Sequence, residues 1–325
     1  MARYALRRLG FLIGMIWAAL TLNFIIPRLM PGDPAEIMLA HIGAKGPITP
    51  ALRNELAASL GLPGGSLLSQ YGHYLVNVVQ FKFGVSYAYF PQSVSSLIWS
   101  SLPWTVLLVG VVTVISFVAG TAIGVAAAWR RNKRFDGAAT VGSTFLSSFP
   151  YFWTGLLLLY IFAFRLNLLP MSGGSSDAPS FSAGFIGSAL QHSVLPALTI
   201  FISGLGAWVL GMRNYTINVL GEDFIKFAQA NGVRTRILLT RYAMRNAILP
   251  QLTVFAIVFG NVVGGSLLVE VVFGYPGVGQ LLYNAIFNLD YPLMQALFLI
   301  ITVTVLLANF VVDTLHVKLD PRIAR

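Results

Sequence analysis

The chain has 325 residues, 56% of them hydrophobic and only 10% charged, with a mean hydropathy of +0.76. A soluble domain carries about 25% charged residues, so the composition excludes a soluble globular protein, and the absence of cysteine excludes disulfides and thiolate metal sites. The net charge of +10 sits in short clusters at the ends of apolar runs, which is a topology signal and not a nucleic-acid surface.

The first apolar run, Leu9 to Ile26, follows Arg3, Arg7 and Arg8. It is about as long as a membrane crossing needs, and longer than a signal-peptide core. Pro27-Arg28-Leu29-Met30-Pro31 follows it in place of a small-x-small cleavage site, so it is expected to be the first transmembrane helix. Hydropathy predicts six spans in all, at about 9–29, 103–129, 138–164, 192–212, 248–272 and 293–313. Pro150 and Pro196 lie inside the third and fourth and can kink them. Gly110, Gly120 and Gly124 in the second have the character of helix-packing positions.

Orientation follows from the basic residues. With the N-terminus inside, 16 of the 21 Lys and Arg fall on the cytoplasmic side, which predicts that both termini are cytoplasmic. The chain then divides into the tail and first helix (1–30), an extracytoplasmic region (31–102) and a five-helix core (103–325). Within the external region, Thr49-Pro50 reads as a helix start and Gly61 as the stop after Leu60.

Between the fourth and fifth spans lies a polar stretch of about 214–247, rich in basic residues (Lys226, Arg234, Arg236, Arg241, Arg245). It reads as a helix, a break at Gly232, a second helix and then Pro250 entering a span. Small residues at Ala228, Ala230 and Gly232 would let another protein approach the backbone. The bland alternative is an ordinary basic loop with a helix-breaking glycine. Glu270, at the outer end of the fifth span, is a functional candidate because acidic groups near membrane depth are costly. It could contact a substrate amino group, hold an external gate, or simply bond to nearby backbone. Asp313 is expected to pair with a basic residue such as Arg322. His41, His73, His192 and His316 are isolated, and no metal-ligand spacing occurs. No Gly-x-x-x-x-Gly-Lys-Ser/Thr phosphate loop occurs either, so the chain is not expected to bind ATP itself.

Several motifs together resemble the permease subunits of the dipeptide/oligopeptide/nickel family of ABC importers. They are Pro31-Gly32-Asp33-Pro34, Ser148-x-Pro150-x-Phe152-Trp153, Leu169-Pro170-x-Ser172-Gly173 and His192-x-x-Leu195-Pro196-Ala197-Leu198. Further on come Ala228-x-Ala230-x-Gly232, Arg245-Asn246-x-x-Leu249-Pro250, Glu270-x-x-Phe273-x-x-Pro276-Gly277-x-Gly279, Asp290-Tyr291-Pro292 and Asp320-Pro321-Arg322. The order and spacing run nearly end to end. Two departures stand out. Where the family usually has Gly-Asp-Leu-Gly-x-Ser, this chain has Phe81-Lys82-Phe83-Gly84-Val85-Ser86, and Asn231 stands where Lys is common.

The resemblance implies an all-α membrane protein with the six-helix fold of type I ABC importer permeases and no catalytic residues. It implies that Ala228, Ala230, Gly232, Arg234, Arg245, Asn246 and Pro250 belong to a coupling segment seated on an ATPase. It makes Glu270, Phe273, Pro276 and Gly277 candidates for the pathway or gate. The expected partners are the lipid bilayer, a homologous second permease, two ATP-binding subunits (or one fused chain) that hold ATP and Mg, and an extracytoplasmic binding protein. No cofactor or metal is expected in this chain, and no nucleic acid. Short peptides are the favoured substrate, with oligosaccharides or nickel or haem complexes as alternatives. A self-sufficient secondary transporter or channel would need intramembrane charges for ion coupling, and the spans have almost none. An intramembrane enzyme would need paired catalytic groups, which are absent too.

Overall fold

A computed structural model describes residues 2–29, 66–264 and 267–319. Helix α1 spans Ala2–Leu29, α2 Leu67–Val79, α3 Val94–Trp129 and α4 Arg134–Ser148. Helix α5, Tyr151–Arg165, becomes π-helical beyond Leu158. Then come α6 (Ala183–Leu220), α7 (Asp223–Ala230) and α8 (Thr235–Gly260), the last with a π-helical turn at Leu238–Ala243. Helices α9 (Leu267–Val272), α10 (Val278–Phe287) and α11 (Tyr291–Leu319) complete the set. Among the described residues five helices are long and apolar enough to cross a membrane, or six if α4 and α5 form one crossing.

The expected span boundaries need correction in four places. The second helix starts at Val94, with Pro103 inside it. The third span is not one kinked helix: α4 and α5 meet at 91°. Phe149 between them is extended (φ −90°, ψ 135°), the conformation that a following proline imposes. The Pro150 carbonyl then accepts from the Trp153 and Thr154 N–H groups and starts α5. Parallel rings of Phe149 and Trp153, 5.7 Å apart, brace the bend. The helix of the fourth span, α6, is far longer than predicted, at 38 residues, and stays helical through Pro196. The fifth span ends early at Gly260, passes through a 3₁₀ turn at Val262–Gly264, and resumes as the six-residue α9.

Two compact units divide the chain differently from the three regions read from sequence. One holds residues up to Thr105, Val263–Leu267 and everything from Pro276 onward. Here α1 lies along α11. The buried Asn23 amide donates to the Gln295 carbonyl (2.6 Å), and the Gln295 amide donates to the Asn23 carbonyl (3.2 Å). Such amide pairs hold helices together where hydrophobicity gives no preference between helix and lipid.

A second cluster in this unit joins Val94, Leu97 and Ile98 to Val278, Leu281, Leu282, Leu293 and Leu297. Its polar centre is Asp290, which caps α11 by accepting from the Leu293 N–H (3.3 Å). Asp290 also accepts from the Ser86 hydroxyl and from the Ala88 N–H (3.1 Å). Burial, together with the Asp290 charge, pushes the Tyr87 phenol above its ordinary range. The two residues that the 81–86 stretch shares with the family pattern therefore have separate uses. Ser86 clamps Asp290, and Gly84 turns the chain at φ +79° while its carbonyl accepts from Val94.

The other unit holds Val106–Val262 and Leu268–Tyr275, built around α6. Gly120 and Gly124 of α3 lie directly on it. A Cβ on Gly124 would meet the Val209 carbonyl oxygen at 2.6 Å and the Met212 Cβ at 2.9 Å, and one on Gly120 would collide with the Trp208 Cβ. On another side, a Cβ on Gly206 of α6 would collide with Ser147 and the Ser143 carbonyl of α4. Helix α8 is tied to α6 by the Gln251 amide, which donates to the Trp208 carbonyl at 3.0 Å. Gly110, by contrast, makes only ordinary contacts with Phe259 and Val262.

Gly124→Leu is therefore expected to abolish the monodisperse peak in detergent size-exclusion chromatography, because both obstructing groups belong to helix backbone or Cβ. Gly137→Leu, with nothing within 4 Å of its Cβ, should elute like the parent chain.

Candidate functional site

The polar segment after α6 folds as one small structure. Helix α7 ends in a two-bond cap: Gly232 N–H donates to the Gln229 carbonyl (3.0 Å) and Val233 N–H to the Ala228 carbonyl (3.2 Å). The cap requires a left-handed residue, and Gly232 supplies it at φ +75°. Ile225 and Ala228 face inward onto Leu238 and Ala243, with Val219, Leu220, Val233 and Leu239 around them. This corrects one expectation: Ala228 packs within its own chain and offers no surface to a neighbour. Gly232 is exposed, and no atom lies within 4 Å of where its Cβ would be, so its intrinsic role is the turn.

The outward face carries Phe224 (43% exposed), Phe227 (73% exposed), Ala230 and Asn231, spaced for one side of a helix. The two phenylalanines are the functional candidates that sequence reasoning missed. In Phe224-Ile225-Lys226-Phe227-Ala228 each helix face offers an apolar pair, and the pattern alone does not say which is buried. Lys226 pairs with Asp223 at 2.9 Å and holds its carboxyl below the usual carboxylate range. Arg234, Arg236, Arg241 and Arg245 are exposed. The Asn246 amide donates to the Tyr242 carbonyl of its own helix (2.9 Å). Pro250 does not open a span: it lies within α8, which begins at Thr235.

Just before this segment, Arg213 forms a two-pronged ion pair with the buried Asp136 of α4 (Nε–Oδ1 2.5 Å, Nη2–Oδ2 3.0 Å). Asn132 N–H adds a third bond to the same carboxylate at 3.0 Å. In the sequence Arg213 is one of the basic residues on the expected cytoplasmic side, with no signal of a partner. Removing Arg213 would leave the buried Asp136 carboxylate without its ionic partner.

The gate candidates fall in different units. Glu270 and Phe273 belong with α6, and Pro276 and Gly277 with α10 and α11. Glu270 is fully buried in α9. Its carbonyl accepts from Tyr275 N–H (2.8 Å), and Gly274 N–H donates to Val271 (3.2 Å), so α9 ends in the same two-bond cap with Gly274 at φ +54°. Phe273 is buried among Ala163, Leu195 and Val269, and its carbonyl accepts from Gly173 N–H at 2.9 Å. The motifs at 169–173, 192–198 and 270–275 thus meet in one cluster. Gly277 caps α10 through Leu281 N–H, and Val278 N–H donates to the buried Thr105 hydroxyl oxygen (2.8 Å).

His192 and His73 each bond to a carbonyl one helical turn earlier, and no group able to hold a metal occurs among the described residues. The stretches at 31–34, 49–61 and 320–322, His41 and the side chains of Asp313 and His316 lie outside the described residues.

Among the described residues, an all-helical architecture with five or six helices long and apolar enough to cross a membrane, and a basic amphipathic segment between two of them, defines a polytopic transport component. Residues 120–325 match the model of the binding-protein-dependent transport system inner membrane component family. A protein of Brucella suis biovar 1, provisionally named a peptide permease, is 36% identical over 323 residues, 99% of each chain. The oligopeptide transport system permease protein AppB of Bacillus subtilis is 32% identical over 323 residues, again 99% of each. The di/tripeptide transport system permease protein DppB of Pseudomonas aeruginosa is 32% identical over 338 residues, with the same coverage. The chain belongs to this family: it is a multi-pass inner-membrane permease subunit of an ABC importer, a transport component and not a catalytic one.

Replacing Gly232 by Ala should destabilise the α7–α8 turn by about 1 kcal/mol, since a side chain in the left-handed region costs that much or more. Gly232→Asn should cost less. Amide hydrogen exchange at Val233 reads both, with the order Gly, then Asn, then Ala in decreasing protection.

Proposed function

We propose that this chain forms half of the pathway by which an ATP-driven importer moves short peptides inward, with both termini in the cytoplasm. The observation that carries the reading is the exposed Phe224–Phe227–Ala230 face of α7, on a helix whose other face is fixed to its own chain. A rigid helix presenting two aromatic rings beside a basic turn is suited to a partly apolar, partly acidic cleft on a partner. In this reading the partner is an ATP-binding subunit, which holds ATP and Mg. Ala230 and Gly232 keep the rim low, while Arg234, Arg236 and Arg245 lie where acidic groups on that partner can reach them.

A second, homologous permease completes the pathway, and an extracytoplasmic binding protein delivers the substrate. The cycle is alternating access: nucleotide binding favours one arrangement of the helix bundles and its release the other. Peptides are the substrate class because the most similar relatives carry peptide names. The absence of a phosphate-binding loop in the sequence agrees with a borrowed ATPase.

The test uses the full complex in proteoliposomes. Phe227→Asp should leave membrane yield unchanged and reduce binding-protein-stimulated ATP hydrolysis at least tenfold. Stimulation that survives undiminished in that variant removes α7 from the coupling role. Peptide uptake without ATP by this chain alone would show instead that it is a self-sufficient transporter.

A further inference from the structure

We infer that Tyr275 and Ser193 are positioning residues that make the α9 turn and helix α6 move as one body, so that α7, at one end of α6, drives the turn at the other. The inference rests on the importer reading above.

Helix α6 links the two places, joined to α7 through the chain and to the α9 turn through side chains. It runs for 38 residues, about 57 Å at 1.5 Å per residue, and about 40 Å of that separates Ser193 from Leu220. At its C-terminal end, Gly221 and Glu222 alone separate it from α7, and Val219 and Leu220 pack on the buried side of that helix. The Asp136–Arg213 pair and the Gly206 contact, both with α4, and the Gln251 bond from α8 hold the shaft along its length.

At the other end the turn is fastened by side chains. Ser193 donates its only hydroxyl proton to the Ala189 carbonyl (2.7 Å). Its oxygen is therefore the acceptor for the Tyr275 hydroxyl, 3.0 Å away. Tyr275 has no freedom to follow α6 independently of the turn, because its N–H closes the cap of α9 on the Glu270 carbonyl. Phe273, two residues earlier, packs against Leu195. A Cβ on Gly155 would stand 3.2 Å from the Phe273 ring and 3.3 Å from the Thr199 methyl, so α5 closes the remaining side. Pro196 lacks the N–H that would bond the His192 carbonyl, which leaves the helix softest just here. Tyr275 grips before that soft point, and Leu195 abuts Phe273 beside it. The turn is thus held across the weak place in the shaft.

A bond with only a packing role would change stability and nothing else. A transmission role changes how much peptide moves per ATP consumed. In the reconstituted complex, Tyr275→Phe and Ser193→Ala are each expected to lower that ratio at least threefold. The double variant should fall no further, because both remove the same bond. Membrane yield and thermal unfolding should stay close to wild type, as expected for one hydrogen bond. Thr253→Ala, whose hydroxyl bonds only within its own helix, is the control.

The chain has no cysteine, so Ser193→Cys with Tyr275→Cys can be cross-linked without background. A short reducible cross-linker should restore the ratio, and reductant should abolish the gain. An unchanged ratio in Tyr275→Phe, additive losses in the double variant, or arrest of transport by the cross-link each overturn the inference while leaving the importer reading in place. A wild-type complex in which uptake is independent of ATP overturns both.

Discussion

Close backbone contact around α6 is the constraint on which the second unit depends. Lipid tails are as apolar as leucine, so in a membrane nothing expels one helix from lipid onto another; association must come from packing and polar bonds. Gly120, Gly124 and Gly206 remove the side chains that would keep α3 and α4 away from α6, and dispersion contacts accumulate along both seams. Gln251 and the Asp136–Arg213 pair add polar bonds along the same helix. The arrangement gives a stiff unit with a polar appendage on one end.

Much of this was legible in the sequence, for identifiable reasons. Long charge-free runs such as Thr105 to Trp129 have no alternative to crossing a bilayer, so five of the crossings could be read directly. Gly120 and Gly124 were readable as packing positions because four-residue spacing puts both on one side of a helix. The turn at Gly232 was readable because glycine between two helical patterns has few other uses. Prolines were less informative: Pro150 breaks a helix at 91°, while Pro103, Pro196 and Pro250 remain inside helices. Whether the lost hydrogen bond bends the chain depends on neighbours that are distant in sequence. The same limit hid Asp136. It lies 77 positions from Arg213, and among four nearby basic residues it reads only as a diluted charge.

Helix endings show how local rules and tertiary needs can disagree. Four helices stop with the same two-bond cap, at Phe81, Gly232, Gly274 and Leu289, each in the left-handed region. Glycine fills two of these places as expected. Phe81 stands where the related permeases usually have glycine, yet the chain keeps the turn and so carries the conformational cost itself. The turn is needed there because it delivers Gly84 and Ser86 to Val94 and Asp290. Leu289 is held in the same way, one residue before Asp290. The buried carboxylate therefore organises both irregular segments that flank it, which is why the departure at 81–86 leaves the fold intact.

The reciprocal amides of Asn23 and Gln295 have a consequence for assembly. Apolar helices slide past one another with little change in energy, so a greasy contact alone leaves the first helix free to settle at several depths. Two crossed amide bonds to main-chain carbonyls must break together before either helix can slide. The N-terminal helix is thereby indexed to the last one like a key to its lock, although nearly three hundred residues of synthesis separate their emergence.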